Sequence, residues 1–217
     1  LHLFSANQKN SHKVLTDSQK TKISQNSNHY DKIDINHIEP MKEERQMSLE
    51  SVRAHLKKWN RDQDIMVFDT SSATVEQAAQ TIGVEPARIA KTLCFRSKGD
   101  SALLVVTAGD AKIDNKKFRH TFGFKARMLS AEEVLEQTGH AVGGVCPFGL
   151  ANDLDIFLDL SLKRFKTVFP ACGSINSAIE VSPEDLWNYS GAKDWIDVCK
   201  DWQESDTKGK TSDSGEA

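Results

Sequence analysis

Apolar positions along the chain gather into short blocks between residues 47 and 202, and the blocks switch between two periods. Leu49, Val52, Leu56 and Trp59 recur at helical spacing with Arg and Lys between them, which predicts a helix over 48–59. Ile65 to Phe68 reads as a short strand. Thr74-Val-Glu-Gln77 has the form of a capping box, so a helix is expected from there to Gly83, a residue suited to the left-handed position that ends a helix. Ile89 to Phe95 reads as a strand, and Ser97-Lys-Gly-Asp100 predicts a hairpin turn into a strand over Ala102–Thr107. A helix over 114–122, a strand-like Ala126–Leu129 and a helix from the cap Ser130 through Thr138 follow. Strands are expected at Asp155–Leu158, Thr167–Ala171 and Ala178–Val181. Ser182-Pro183-Glu-Asp185 sets a cap, a first-turn proline and two acids in the favoured order for a last helix. Trp187, Trp195 and Trp202 fit a helix packing on the core. Strands joined by tight turns imply an α/β fold with a mixed, largely antiparallel sheet.

Composition narrows the function. Residues 1–46 are rich in Asn, Gln, Ser, His and Lys, and 203–217 in Ser, Asp, Lys and Gly, so the expected domain is 47–202 between disordered extensions. Residues 1–40 also read as sequence upstream of the true start, because Met41 directly precedes the first patterned stretch. No run approaches the roughly 20 apolar residues of a membrane span. Four cysteines in 217 residues are too few for a disulfide-built scaffold. No signal-peptide core is visible, and Asp17, Asp31 and Asp34 interrupt any amphipathic targeting helix, which points to a reducing cytosol. The net charge of −3 is no flag for nucleic acid. Locally, however, Lys112, Lys116, Lys117, Arg119, Lys125 and Arg127 stand against the single acid Asp114, a set that could track an RNA backbone or form a solvated helix face.

Four kinds of chemistry can be weighed. Cys94, Cys146, Cys172 and Cys199 are scattered, with no C-x-x-C and no H-x-x-x-H, so no metal site is expected. Gly143-Gly-Val-Cys-Pro-Phe-Gly149 is the most glycine-dense stretch. It could aim backbone N–H groups at a ligand oxygen or simply connect two elements. Cys146 follows His140 by six residues, which admits a thiol dyad or two incidental residues. Lys91 interrupts the apolar run Ile89-Ala-Lys-Thr-Leu-Cys-Phe95. Its ammonium either escapes to solvent or serves an anionic substrate in a cleft.

Two segments in order carry a resemblance. Gly83-Val-Glu-Pro-Ala-Arg-Ile-Ala-Lys91-Thr, and then Thr138-Gly-His-Ala-Val-Gly-Gly-Val-Cys-Pro-Phe-Gly149, resemble the YbaK/EbsC family. That family comprises the editing domain associated with prolyl-tRNA synthetase and its free-standing relatives. Asp110, Lys112 and the turn Ala171-Cys-Gly-Ser174 agree, and the likeness spans about 65–190. It implies a mixed sheet curled into a barrel-like core with surrounding helices. It also implies a trans-editing deacylase of mischarged aminoacyl-tRNA, with tRNA for proline carrying a small non-cognate amino acid as the substrate. No metal or organic cofactor is expected. By that resemblance Lys91 holds the 3′-end, and Gly143 and Gly144 offer backbone groups to the ester. Cys146, Pro147, Phe148, Gly149, Ala171, Cys172, Gly173 and Ser174 are expected around the substrate, and Lys112, Lys116, Lys117 and Arg119 along the RNA. The partners implied are aminoacyl-tRNA and an aminoacyl-tRNA synthetase. The sequence departs from cysteine-clearing members at Ala171, Cys172 and Ala178. It departs from alanine-clearing members at Thr92 and in having no histidine after His140. A non-catalytic RNA- or ligand-binding module of the same fold is therefore the alternative.

Overall fold

The computed structural model describes residues 48–70, 74–99 and 101–202. The expectations for 1–46, for 203–217 and for Asp100 in the hairpin turn lie outside the described residues. Helix α1 is described over 48–56 and tightens into a 3-10 turn at Lys57–Trp59, ended by Asn60 in the left-handed region. Strand β1 (Met66–Val67) and helix α2 (Val75–Ile82) follow. The predicted capping box starts α2. Gln77 N donates to Thr74 Oγ1 at 3.2 Å and Thr74 N donates to Gln77 Oε1 at 3.3 Å.

Strands β2 (Ile89–Arg96) and β3 (Ala102–Ala108) form an antiparallel hairpin in register from Ala90↔Ala108 to Arg96↔Ala102. Every residue of β3 is buried, the mark of a central strand covered on both faces. Strand β4 (Lys112–Ile113), helix α3 (Asn115–Phe122, capped by Asp114) and helix α4 (Ala131–Thr138, with a second capping box at Ser130) lead to β5 (Asp155–Asp159). Then come β6 (Phe169–Pro170), β7 (Ser177–Ala178), α5 (Pro183–Ser190), β8 (Asp194–Ile196) and β9 (Cys199–Lys200).

The main sheet has the order β6-β2-β3-β5-β8. It is mixed. The hairpin is antiparallel, whereas β6 on β2, β5 on β3 and β8 on β5 are parallel. The antiparallel share beyond the hairpin lies in the small pairs β1–β7 and β4–β9 and in isolated bridges. Parallel neighbours need crossovers, and α3 and α4 supply the one from β3 to β5. Expected strands near 167–171 and 178–181 contract to β6 and β7 plus bridges at Val168↔Val181 and Ala171↔Ala178. The stretch 126–129 reduces to one bridge, Phe95↔Met128. The tryptophans divide between elements: Trp187 on α5 stacks on Trp195 of β8 with centroids 6.0 Å apart, and Trp202 packs on the core further along.

Helix α1 braces two loops. Ser48 Oγ donates to Gly173 O at 2.7 Å, and Ser51 Oγ donates to Gly149 O at 3.0 Å. A Cβ on Gly173 would lie 2.6 Å from Ser48 O, and one on Gly149 would lie 2.6 Å from Ser51 O. Both glycines have positive φ, so strain and steric overlap coincide there. Gly83 also has positive φ but nothing within 4 Å of its would-be Cβ. Gly173→Ala is therefore expected to lower unfolding free energy by about 2 kcal/mol or more, and by at least about 1 kcal/mol beyond Gly83→Ala. Urea unfolding of the two variants checks this.

Candidate active site

A cavity of ≈ 230 Å³ opens beside β2. One wall is the continuous run Ile89–Cys94. Val75, Ala78 and Ile82 of α2 form a second wall, and Val134 of α4 with Val142, Gly143 and Val145 a third. Phe169, Ala171, Ser174, Ile175, Ser177 and Ala178 complete it. The lining is mostly apolar. Two of its side chains, Met128 and Val142, are 59% and 60% exposed, so they stand at the mouth.

Lys91 is half-buried in this wall. Its Nζ donates to Gly109 O at 2.9 Å and to Ala111 O at 2.5 Å. An ammonium has three N–H donors, so one remains beyond this pair of carbonyls. Burial lowers the lysine pKa from its ordinary value, and the negative charges of Asp110 and Glu76 oppose that shift. Asp110 itself is held by Arg164. The turn that receives Lys91 is packed tightly, since a Cβ on Gly109 would overlap Pro86 O.

The glycine-rich loop lies across the cavity. Gly143 lines it with φ 92°. Gly144 sits behind, fully engaged: its N–H donates to Ala141 O at 2.9 Å and its carbonyl accepts from Gly173 N at 3.0 Å. A Cβ there would lie 2.8 Å from the backbone of Ser174, so only glycine lets the two loops meet. Gly144 thus joins the loops, and its amide is not directed at a ligand. Ser174 and Ser177, both on the cavity, share a hydroxyl hydrogen bond of 2.8 Å.

Of the residues expected around the substrate, Ala171 and Ser174 line the cavity with Lys91 and Gly143. Cys146, Phe148 and Cys172 are instead completely buried in the core, and Pro147 is buried beside them. Gly149 and Gly173 face α1, as described above. Cys146, Pro147, Phe148 and Cys172 support the loop from behind because apolar side chains next to a tight turn find more contact in the core than at its surface, and the two glycines meet α1 through their backbone. Lys116 and Arg119 are exposed on α3. Lys112 pairs with Asp201, and Lys117 is held by Asp197 and the Cys199 carbonyl, each at 2.8 Å. Thr74, Val75, Ala78, Ile82, Met128, Val142, Val145 and Ser177 also line the cavity, and nothing local in the sequence marks them for it. The cap at Thr74 was visible, but its nearness to β2 was not.

Among the described residues no His, Cys, Asp and Glu cluster is arranged to hold a metal, and no helix is long and apolar enough to cross a membrane.

An aminoacyl-tRNA editing domain model matches residues 69–189. This chain belongs to the aminoacyl-tRNA editing domain family. YwhH of Bacillus subtilis (strain 168), a protein whose name states no activity, is 69% identical over 157 residues, covering 72% of this chain and all of the relative. The candidate Cys-tRNA(Pro)/Cys-tRNA(Cys) deacylase EbsC of Enterococcus faecalis is 27% identical over 52% of this chain and 70% of its own. The crystal structure of a candidate trans-editing enzyme for prolyl tRNA synthetase aligns with TM-score 0.65 and 29% identity, over 70% of this chain and 97% of that one. The YbaK/EbsC resemblance and the mixed α/β fold therefore stand. The matched segment contains Lys91, the loop 143–149 and the turn 171–174.

Cys146 Sγ lies 3.8 Å from His140 Nδ1, but both residues are completely buried. Burial pushes the thiol up to about 12 and the imidazole down to about 4, so neither carries the charge of an activated pair at neutral pH. A thiol reagent at pH 8 is expected to leave the native protein essentially unmodified and to titrate four thiols once it is unfolded. Fast labelling of Cys146 in the native state would revive the dyad.

His140 also sets a pH dependence. Its folded value lies below the unfolded 6.5, so its contribution to stability is full above pH 6.5 and is lost as pH falls toward 4. The size of that contribution is about 3 kcal/mol. Urea unfolding at pH 7 and pH 4 is expected to show a pH-dependent loss about that much smaller in His140→Gln than in the wild type.

Proposed function

We propose that this editing domain is a trans-acting deacylase that hydrolyses the ester of mischarged aminoacyl-tRNA, with tRNA for proline carrying a small amino acid as the substrate. The observation that carries the reading is that Lys91 and Gly143 line one cavity whose other walls are mostly apolar. A tethered aminoacyl group fits such a hollow, and the charged ammonium suits the anionic acceptor end that follows it. The chemistry demanded is modest because an aminoacyl ester is already activated. Backbone donors near the carbonyl and a water activated by the ribose hydroxyl would suffice. This also accounts for the buried state of His140 and Cys146, which leaves them no role at the reacting atoms.

Discrimination would follow size. A methylene in an apolar pocket is worth about 1–3 kcal/mol, so walls such as Ala171, Ala178, Val142 and Ile175 admit short side chains and oppose longer ones. The synthetase-related sequences support proline tRNA as the carrier. A proline–tRNA ligase of Bacillus licheniformis is 33% identical over 98 residues, which make up 17% of that protein.

Deacylation of a panel of mischarged tRNAs tests the reading. Lys91→Ala is expected to lower kcat/KM about a hundredfold, or about 2.7 kcal/mol. Wild-type rates in that variant would remove the role given to the lysine. Tight tRNA binding without hydrolysis across the panel would favour a binding module instead. On α3, Lys116→Ala with Arg119→Ala is expected to weaken tRNA binding severalfold at low salt and little at high salt. Unchanged affinity at low salt would make that face a bystander.

A further inference from the structure

The outer edge of β2 is paired at both ends and open between them. At its start, β6 pairs with Ile89 and Ala90 and goes no further along β2. At its end, Leu129 N donates to Cys94 O at 3.2 Å and Arg96 N donates to Arg127 O at 2.8 Å. The ladder to β3 runs from 90 to 96 without a bulge, so main-chain groups alternate strictly between the two edges. Cys94 and Arg96 face outward, and Thr92 must do the same. Its N–H and C=O meet no partner among the described residues, and Thr92 lies on the cavity wall. Its side-chain hydroxyl is likewise shielded and unpartnered.

A donor and an acceptor on one strand residue are complementary to the amine and carbonyl of another residue. An aminoacyl ester carries both. We propose that the aminoacyl group docks as a single added strand residue in this gap, its α-amine donating to Thr92 O and its ester carbonyl accepting from Thr92 N–H. The proposal rests on the editing reading and names its substrate contact. The pairing is that of two opposed antiparallel residues, which exchange both hydrogen bonds. It supplies the carbonyl donor that Gly144 cannot, because the Gly144 amide is bound to Ala141. Water then adds to the polarised carbonyl carbon, the bond to the ribose oxygen breaks, and that oxygen takes the proton. Free amino acid and tRNA leave. Opposed residues also share a sheet face, so the substrate side chain lies beside that of Thr92, where bulk is limited.

Two changes isolate these contacts. One is in the substrate: the amino acid that the panel finds fastest is replaced by its des-amino counterpart (propionate for alanine), which leaves no donor at the α position. The other is Thr92→Pro, which removes the outward N–H and leaves the ladder to β3 intact, a position where an edge strand accepts proline. Each enzymatic rate is divided by the spontaneous hydrolysis rate of the same ester. The aminoacyl ester is expected to react at least tenfold faster than the des-amino acyl ester after this correction. Thr92→Pro is expected to lower kcat about a hundredfold with an unfolding midpoint near wild type. Equal corrected rates for the two esters overturn the proposal, as does a folded Thr92→Pro protein with the wild-type rate. If that variant does not fold, the ester pair decides alone. Wild-type protein that hydrolyses aminoacyl esters but ignores the amine loses only this proposal; wild-type protein that hydrolyses none loses the editing reading with it.

Discussion

The interrupted edge of β2 is the constraint around which the site is organised. On its inner side the strand is fixed by seven consecutive pairs with β3, a strand buried along its whole length. On its outer side it meets two different partners that do not touch each other's stretch: β6 at the start and the 127–129 segment at the end. The ladder to β3 makes the strand rigid, and the interruption makes it accessible. A sheet edge normally invites pairing with other chains. Here the open stretch is recessed in a cavity of ≈ 230 Å³, which only a small group can enter.

The surroundings maintain that recess through backbone contacts more than through side-chain chemistry. Gly144 joins the loop 143–149 to the 172–174 turn, and α1 locks the same turn and Gly149 through two serine hydroxyls. Each junction is close enough that a methyl group would overlap backbone. A pocket built this way has little freedom to relax, which suits discrimination by size. Lys91 adds the one strongly polar element of the wall, and even it is anchored to two main-chain carbonyls. The buried His140–Cys146 pair belongs to this scaffold, since burial holds both neutral.

Elements written in local chemistry were legible in the sequence. The capping box at Thr74, the cap at Ser130, the proline-led α5 and the β2–β3 hairpin all appear within a residue or two of their expected bounds. Short pieces were not legible. Asp194–Ile196 and Cys199–Lys200 are too brief to display a period, and they exist because β5 and β4 offer them edges. Lys91 stood out because a cation in an apolar strand demands an explanation. Cys146, Phe148 and Cys172 misled because adjacency to a functional loop in sequence does not tell which way a side chain turns.

The sequence by itself determined the helix caps, the hairpin, the odd lysine and, through two ordered motifs, the family. Such features depend on neighbours a few residues apart, where propensity and sterics act. Tertiary structure alone decided which residues share the cavity, that the Gly144 amide is already bound, and that the Thr92 main chain is not. Those outcomes depend on distant segments, such as Ser48 meeting Gly173 across 125 residues. No local pattern encodes whether a hydrogen-bonding group finds its partner, because that is settled only when the rest of the chain has packed around it.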